Sequence, residues 1–143
     1  MEIIARYGGL PEELLAFAET APMRRLLDVG MHCGCEYTAC PLYKGKPAYS
    51  RYLHSLGAAA IVWHFTKDEA QSLSALFHDI ATPVFAHVVD FLNGDHLAQE
   101  STEAPTHDIL TNDAKLQAGL RALGLQTQDV DDYHRYPIAD NDS

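Results

Sequence analysis

The residues that could do chemistry lie in the middle of the chain. His54 stands in one stretch, His78 and Asp79 are adjacent in a second, and His87 and Asp90 follow shortly after. Imidazole nitrogens and carboxylate oxygens are ligands for divalent metal ions. Metal-dependent hydrolysis of a phosphate ester uses such an ion, commonly together with a further acid–base pair. These residue types therefore indicate a hydrolytic metal site.

The position of the His78-Asp79 pair matters more than the dipeptide itself. In the middle of a helix, adjacent side chains point about 100° apart and rarely share a ligand. At the end of a helix the backbone turns, so that both side chains can converge. The following Thr82-Pro83 is typical of a helix cap and first turn, so it places His78-Asp79 at a helix terminus.

His54 and the pair His87/Asp90 each have a structural explanation beside the functional one. Small residues at 57–60 follow His54, and they allow another helix to approach closely. That approach brings His54 within reach of the 78–79 helix end, although a hydrogen-bonded core histidine fits the same position. His87 and Asp90 are three residues apart and share a helix face, as a surface pair would.

Three cysteines lie near one another, at Cys33, Cys35 and Cys40. An odd number of cysteines argues against a disulfide framework. Free thiols in a turn-rich segment, a zinc site completed by His32, and a redox role all remain open at this point. The C-x-C-x4-C spacing is not one of the established zinc patterns.

Bulk composition sets outer limits on the function. The chain has 143 residues, of which 47% are hydrophobic, and this predicts one globular domain. No apolar run approaches the roughly 18 residues of a membrane helix, and the N-terminus does not resemble a secretory signal. The expected location is the cytoplasm, without membrane association. The net charge of −10 argues against non-specific nucleic-acid binding.

Capping residues and apolar spacing predict an all-α fold. The predicted helices span residues 12–18, 23–29, 50–65, 66–79, 83–92, 106–110 and 113–123. Thr66 and Glu69 predict a capping box. Glycines and prolines over 30–50 predict an irregular segment, with a short hairpin as the alternative. The acidic tail after Asp129 is expected to be frayed.

Together these stretches resemble a known family. The pattern Arg51-x-x-His54-Ser-Leu-Gly, then His78-Asp79, then Pro83-x-Phe-x-His87-x-x-Asp90 is similar to the HD-domain superfamily of metal-dependent phosphohydrolases. Within it, the chain looks most like the deoxynucleotide triphosphohydrolase branch. The segment Met-Arg-Arg-Leu-x-x-Val-Gly at 23–30 resembles the lead-in helix of that branch. The resemblance covers roughly residues 22–110.

The resemblance implies a role for each matching residue. It implies three metal ligands, which are His54, His78 and Asp79. It implies that His87 and Asp90 act near the scissile phosphate, and that Arg51 meets a phosphate of the substrate. The cofactor would be one divalent ion, and Mn²⁺, Fe²⁺, Ni²⁺, Zn²⁺ and Mg²⁺ all remain open.

Two departures from the family pattern stand out. The fourth ligand of the family is an aspartate in a stretch like Ala-Asp-Arg, whereas this chain ends with Asp140 and Asp142 as its nearest candidates. We therefore expect a single HD-type domain over 1–143, with its core at 22–132 and its C-terminal part missing. A catalytic histidine of the branch is replaced by Thr102, for which His96 or His107 are substitutes in a different register.

The function expected from the sequence is hydrolysis of a nucleotide or another small phosphate ester. The alternative is a non-catalytic HD-type module that binds a metal or nucleotide and serves in regulation. A third interpretation is a structural zinc site at the cysteines with incidental histidines. Exposed aromatic and apolar tail residues, Tyr133, Tyr136 and Ile138, indicate a contact that is lost with the missing C-terminal part, either within the chain or in a dimer, so a homo-oligomer is expected as one outcome.

Overall fold

A computed structural model describes residues 7–32, 38–44, 49–84 and 103–136. The predicted all-α fold is confirmed, because the described ranges contain helices and no strand. The predicted helix over 83–92 lies outside the described residues beyond position 84, and so do His87 and Asp90. Asp140 also falls outside them.

Six α-helices and three 3₁₀ helices make up the regular structure of the described residues. The α-helices are α1 (Glu12–Ala18), α2 (Ala21–Arg24), α3 (Arg51–Thr66), α4 (Glu69–Phe77), α5 (Glu103–Asn112) and α6 (Ala114–Ala122). The 3₁₀ helices are Arg25–Asp28, Thr127–Asp129 and Tyr133–Arg135. The predicted helix over 23–29 is therefore a short α-helix that tightens into a 3₁₀ turn.

The hairpin of α3 and α4 is the centre of the fold and positions the site. The side chain of Ser50 caps α3 by accepting a hydrogen bond from the backbone N–H of Leu53. The chain then reverses at Lys67, which adopts the left-handed conformation with φ of 55°. Gly57, Ala59 and Ala60 are buried on α3, and these small residues suit its close packing on α4.

The core gathers the apolar faces of these helices. The prediction that Leu73, Leu76, Phe77 and Ile80 are buried is confirmed, because all four are fully buried, the first three in α4 and Ile80 in the turn that follows it. Other helices complete the core with the side chains of Leu14, Phe17, Met23, Leu26, Leu110, Leu116 and Leu120. These side chains form one apolar core, against which the end of α4 packs through Phe77 and Ile80.

The irregular segment is held at its base by backbone pairing. Gly30 and Ser50 form an isolated antiparallel bridge, and the flanking N–H groups of Met31 and Arg51 donate to the backbone on the opposite side. This bridge is the hairpin-like element of the described residues in this region. It fixes the entry to α3 and so the first turn of that helix, which carries the site residues.

The segment after α6 is folded, which corrects the expected fraying at residues 130–136. α6 ends at Ala122, and Gly124 follows its C-cap residue with φ of +73°, as predicted for a glycine that closes a helix. Val130 is then buried in the core, and the hydroxyl of Tyr136 donates to the carbonyl of Asp129 at 2.8 Å. Within the described ranges, no helix has the length and apolarity needed to cross a membrane.

Candidate metal centre

Two helix ends bring the three predicted metal ligands together. His54 lies in the first turn of α3, one turn after its cap, and His78 and Asp79 lie in the turn that ends α4. Because α3 and α4 are antiparallel neighbours joined by a short turn, the start of one faces the end of the other. The small residues of α3 permit the close approach that the sequence predicted.

The ligand atoms of these residues form one compact group. The Nε2 atoms of His54 and His78 are 3.1 Å apart. Oδ2 of Asp79 lies 3.3 Å from Nε2 of His78 and 3.9 Å from Nε2 of His54. The three ligand atoms all lie within 4.8 Å of one another, so this group of two histidines and one aspartate could hold a metal ion. Among the described residues, it is the group of three or more His, Cys, Asp or Glu side chains that meets this distance.

The orientation of His78 leaves its Nε2 atom available to bind a metal ion. Its Nδ1 lies 2.7 Å from the carbonyl oxygen of Ala75, which can only accept a hydrogen bond. Nδ1 therefore carries the proton and donates it to that carbonyl. The lone pair is then on Nε2, which faces His54. A histidine ligand whose other nitrogen donates to a backbone carbonyl is common in metal sites.

Asp79 presents its two oxygens to different surroundings. Oδ1 accepts hydrogen bonds from Nη1 of Arg51 at 2.7 Å and from the hydroxyl of Thr82 at 2.9 Å. Oδ2 is buried, has no hydrogen-bond partner, and is the oxygen nearest the two imidazoles. A buried carboxylate oxygen without a partner is costly, and a cation at this position would satisfy it. The residues present therefore fit a metal ion.

The local electrostatics favour the metal-binding forms of His54 and Asp79. Burial lowers the pKa of His54, as does the neighbouring His78, and Asp79 opposes this. Burial alone would raise the pKa of Asp79, but His78, Arg51 and the hydrogen bonds to Oδ1 outweigh it and lower the pKa. A neutral imidazole and an ionised carboxylate are the forms that coordinate a metal.

An aromatic residue of the C-terminal segment packs against the three-residue ligand group. The ring of Tyr133 meets the ring of His78 edge to face, with centroids 5.9 Å apart. A small cavity opens beside His78 and is also lined by Ser74, Thr106 and Asp132. The site thus has a protein wall on this side. The sequence predicted a lost, uncovered contact for the aromatic residues of the tail, whereas Tyr133 packs on His78 within the described fold, a target that the sequence did not predict.

The other predicted site residues are placed differently. Arg51 is buried and bound to Asp79, so its contact with a substrate phosphate stays a prediction. His107 is apart from the three-residue group and pairs with Asp131 at 2.6 Å. Cys40 is exposed, and the zinc and redox interpretations also stay predictions because Cys33 and Cys35 lie outside the described residues.

Sequence reasoning missed two supports of the site. Thr82 was interpreted only as a helix cap, yet its hydroxyl contacts Asp79. Arg25 donates to the carbonyl oxygens of Ile80 and Thr82, each at 2.9 Å, and so holds the turn that carries the ligands. No local pattern announces a contact that spans more than fifty residues of sequence.

Comparison of the chain with protein-family models, with curated proteins and with solved structures gives no match in any of the three.

Proposed function

We propose that His54, His78 and Asp79 bind one divalent metal ion and that the protein is a metal-dependent phosphohydrolase. Its substrate would be a nucleotide or another small phosphate ester. The observation that carries the proposal is the convergence of two Nε2 atoms and an unpartnered carboxylate oxygen on one point. Two imidazoles and one carboxylate favour a transition metal such as Mn²⁺, Fe²⁺, Ni²⁺ or Zn²⁺ over Mg²⁺.

The charge balance around the ligands supports an anionic substrate. The carboxylate of Asp79 is paired with the guanidinium of Arg51, and the lowered pKa of His54 keeps its imidazole neutral near pH 7. The protein groups thus contribute little net charge, so the charge of a divalent ion would be available to attract a phosphate. Such a local attraction is needed because the chain as a whole carries −10.

A divalent ion bound here would polarise water and offset the negative charge of the phosphoryl group. Three protein ligands leave further coordination positions open, as catalytic metal sites do. The resemblance implies that His87 and Asp90 act near the scissile phosphate, and we assign proton transfer to them as part of this proposal. The alternative function is a non-catalytic module that binds metal or nucleotide at the same three ligands.

Metal analysis and hydrolysis assays on the full chain test the proposal. Wild-type protein loaded separately with Mn²⁺, Ni²⁺, Zn²⁺ and Fe²⁺ should bind about one ion per chain, and at least one loaded form should hydrolyse members of a panel of nucleotides and phosphate monoesters. His78→Ala should lose both metal and activity. His64→Ala is the matched control, because His64 is an exposed histidine near the other end of α3.

The outcomes separate the two functions. Stoichiometric metal without hydrolysis of any panel member would favour the non-catalytic module. Wild-type metal content in His78→Ala would refute the metal site itself. His87→Ala should retain the metal and lose hydrolysis by about 10²-fold or more, the typical contribution of an acid–base group.

A further inference from the structure

Two donors from separate parts of the fold converge on a single oxygen of Asp79. Arg51 begins α3 and donates from Nη1, while Thr82 follows the turn after α4 and donates from its hydroxyl. Both side chains are buried, as is Asp79. The proposed metal site accounts for the three ligands and for the Oδ2 atom that has no hydrogen-bond partner, but it does not by itself explain why Oδ1 accepts two short hydrogen bonds.

The two donors restrict how the carboxylate can turn. A rotation that exchanged the two oxygens would place Oδ2 against Arg51 and Thr82 and would have to break both hydrogen bonds on the way. Held as it is, the carboxylate keeps Oδ2 toward the imidazoles of His54 and His78. A ligand fixed in this way loses less conformational freedom when an ion arrives.

Thr82 is itself held in place. Its backbone N–H donates to the carbonyl of Asp79 at 2.9 Å, and its carbonyl oxygen accepts a hydrogen bond from Arg25. The second carbonyl contact of Arg25, to Ile80, braces the same turn. The hydroxyl of Thr82 is therefore a fixed donor, set by the backbone on both sides of it.

We propose that Arg51 and Thr82 are positioning residues of the metal centre. Their hydrogen bonds to Oδ1 set the carboxylate of Asp79 so that Oδ2 is the oxygen offered to the ion. The inference rests on the proposed metal site but makes a separate claim about residues that do not touch the ion. It also gives Arg51 a role toward Asp79 in addition to its predicted contact with a substrate phosphate.

Substitutions at Thr82 test the claim with little change of shape. Thr82→Val keeps the branched side chain and removes the hydroxyl, whereas Thr82→Ser keeps the hydroxyl. Co²⁺ is the probe, titrated into the full chain and followed by its visible absorption, which reports on coordination. We expect Thr82→Val to bind Co²⁺ about tenfold or more weakly with an altered spectrum, the scale typical of outer partners of metal ligands. Thr82→Ser should match the wild type.

Arg51→Lys supplies a second, independent variant. It keeps a positive charge near Asp79 but loses the planar guanidinium, and it should also weaken Co²⁺ binding and alter the spectrum. Circular dichroism establishes that each variant is folded, and Asp79→Asn is the reference for a lost ligand.

Three results would overturn the inference. The first is wild-type Co²⁺ affinity and spectrum in both Thr82→Val and Arg51→Lys, while Asp79→Asn loses the ion. The second is an equal loss in Thr82→Ser and Thr82→Val, since the hydroxyl would then be irrelevant. The third is wild-type binding in Asp79→Asn as well, which would refute the proposed metal site and not only the role of its supports.

Discussion

Nη1 of Arg51 lies 2.7 Å from Oδ1 of Asp79, and the two side chains are only 9% and 11% exposed. Breaking a buried ion pair from one side leaves an uncompensated charge, which costs about 3–5 kcal/mol. Asp79→Asn should therefore lower the free energy of unfolding by an amount of this order in urea denaturation of metal-free protein.

The pair between Arg24 and Glu19 is the control for that prediction, because its N–O distance is also 2.7 Å but its side chains are 54% and 63% exposed. Water screens such a pair, and its contribution is under about 1 kcal/mol. Glu19→Gln should accordingly change stability little. Similar losses of unfolding free energy in Glu19→Gln and Asp79→Asn would mean that burial does not determine how much the Arg51–Asp79 pair stabilises the fold.

The lowered pKa values predict two pH ranges in which the metal-free protein loses stability. The folded state binds a proton at His54 less readily than the unfolded state does, so stability falls as the pH drops below the ordinary histidine pKa of about 6.5. Asp79 also has a lowered pKa, and its contribution is present above the ordinary aspartate pKa of about 3.9 and is lost as the pH falls through the folded value.

Urea denaturation at a series of pH values separates these ranges. His54→Gln should flatten the dependence between about pH 7 and 5 and leave the lower range in place. Asp79→Asn should flatten the lower range. A steeper loss of stability between about pH 7 and 5 in His54→Gln than in the wild type would contradict the sign derived for His54.

The convergence of the ligands was predictable because its causes are local. Thr82-Pro83 marks the end of α4, and the small residues of α3 mark a close helix contact. Both are patterns that a sequence displays directly, so the meeting of His54 with the 78–79 turn follows from them. The observed 3.1 Å between the two imidazoles confirms that geometric expectation.

Thr82 contacts Asp79 from only three residues away, but the other supports of the site were not predictable because they depend on contacts distant in sequence. Whether Arg51 points to solvent or to Asp79 is decided by where the 78–82 turn lies, 28 residues later. The same holds for the ring of Tyr133 against His78. The residue type alone fits an arginine that contacts a substrate as well as one that contacts Asp79. The inward orientation of Arg51 therefore could not be predicted from the sequence.

The N-terminus of α4 is capped by a different residue from the one that the sequence predicted. The sequence predicted a capping box from Thr66 and Glu69, but the cap is Asp68, whose side chain accepts a hydrogen bond from the N–H of Gln71 at 2.9 Å. Thr66 instead donates to the carbonyl of Val62 in α3. The prediction was wrong because Thr66 still belongs to the preceding helix.

Alanine substitutions distinguish the two caps. Asp68→Ala should cost about 1 kcal/mol, the usual value of a lost helix cap. Glu69→Ala should cost only about 0.3 kcal/mol through the helix dipole, since Glu69 is exposed in the first turn. Thermal or urea denaturation measures both losses of stability. A larger loss in Glu69→Ala than in Asp68→Ala would support the capping box predicted from the sequence.

The contact between Gly119 and Phe17 yields a prediction against the usual helix preference. Gly119 lies within α6, where alanine in place of glycine ordinarily gains up to about 1 kcal/mol. A Cβ at this position, however, would lie 2.7 Å from Cε1 and Cζ of Phe17. Phe17 is buried and packs edge to face on Phe77, with centroids 5.9 Å apart, so its ring has little freedom to move. Overpacking of this kind costs about 1–3 kcal/mol.

Gly119→Ala should therefore destabilise the wild-type protein, whereas the same substitution should be neutral or stabilising in a Phe17→Leu background. The double-mutant cycle, measured by urea denaturation, isolates the steric contact from the helix preference because the preference is common to both backgrounds. A gain of about 1 kcal/mol in both backgrounds would show that the ring yields freely. In that case α1 and α6 would be packed less tightly than a 2.7 Å approach requires.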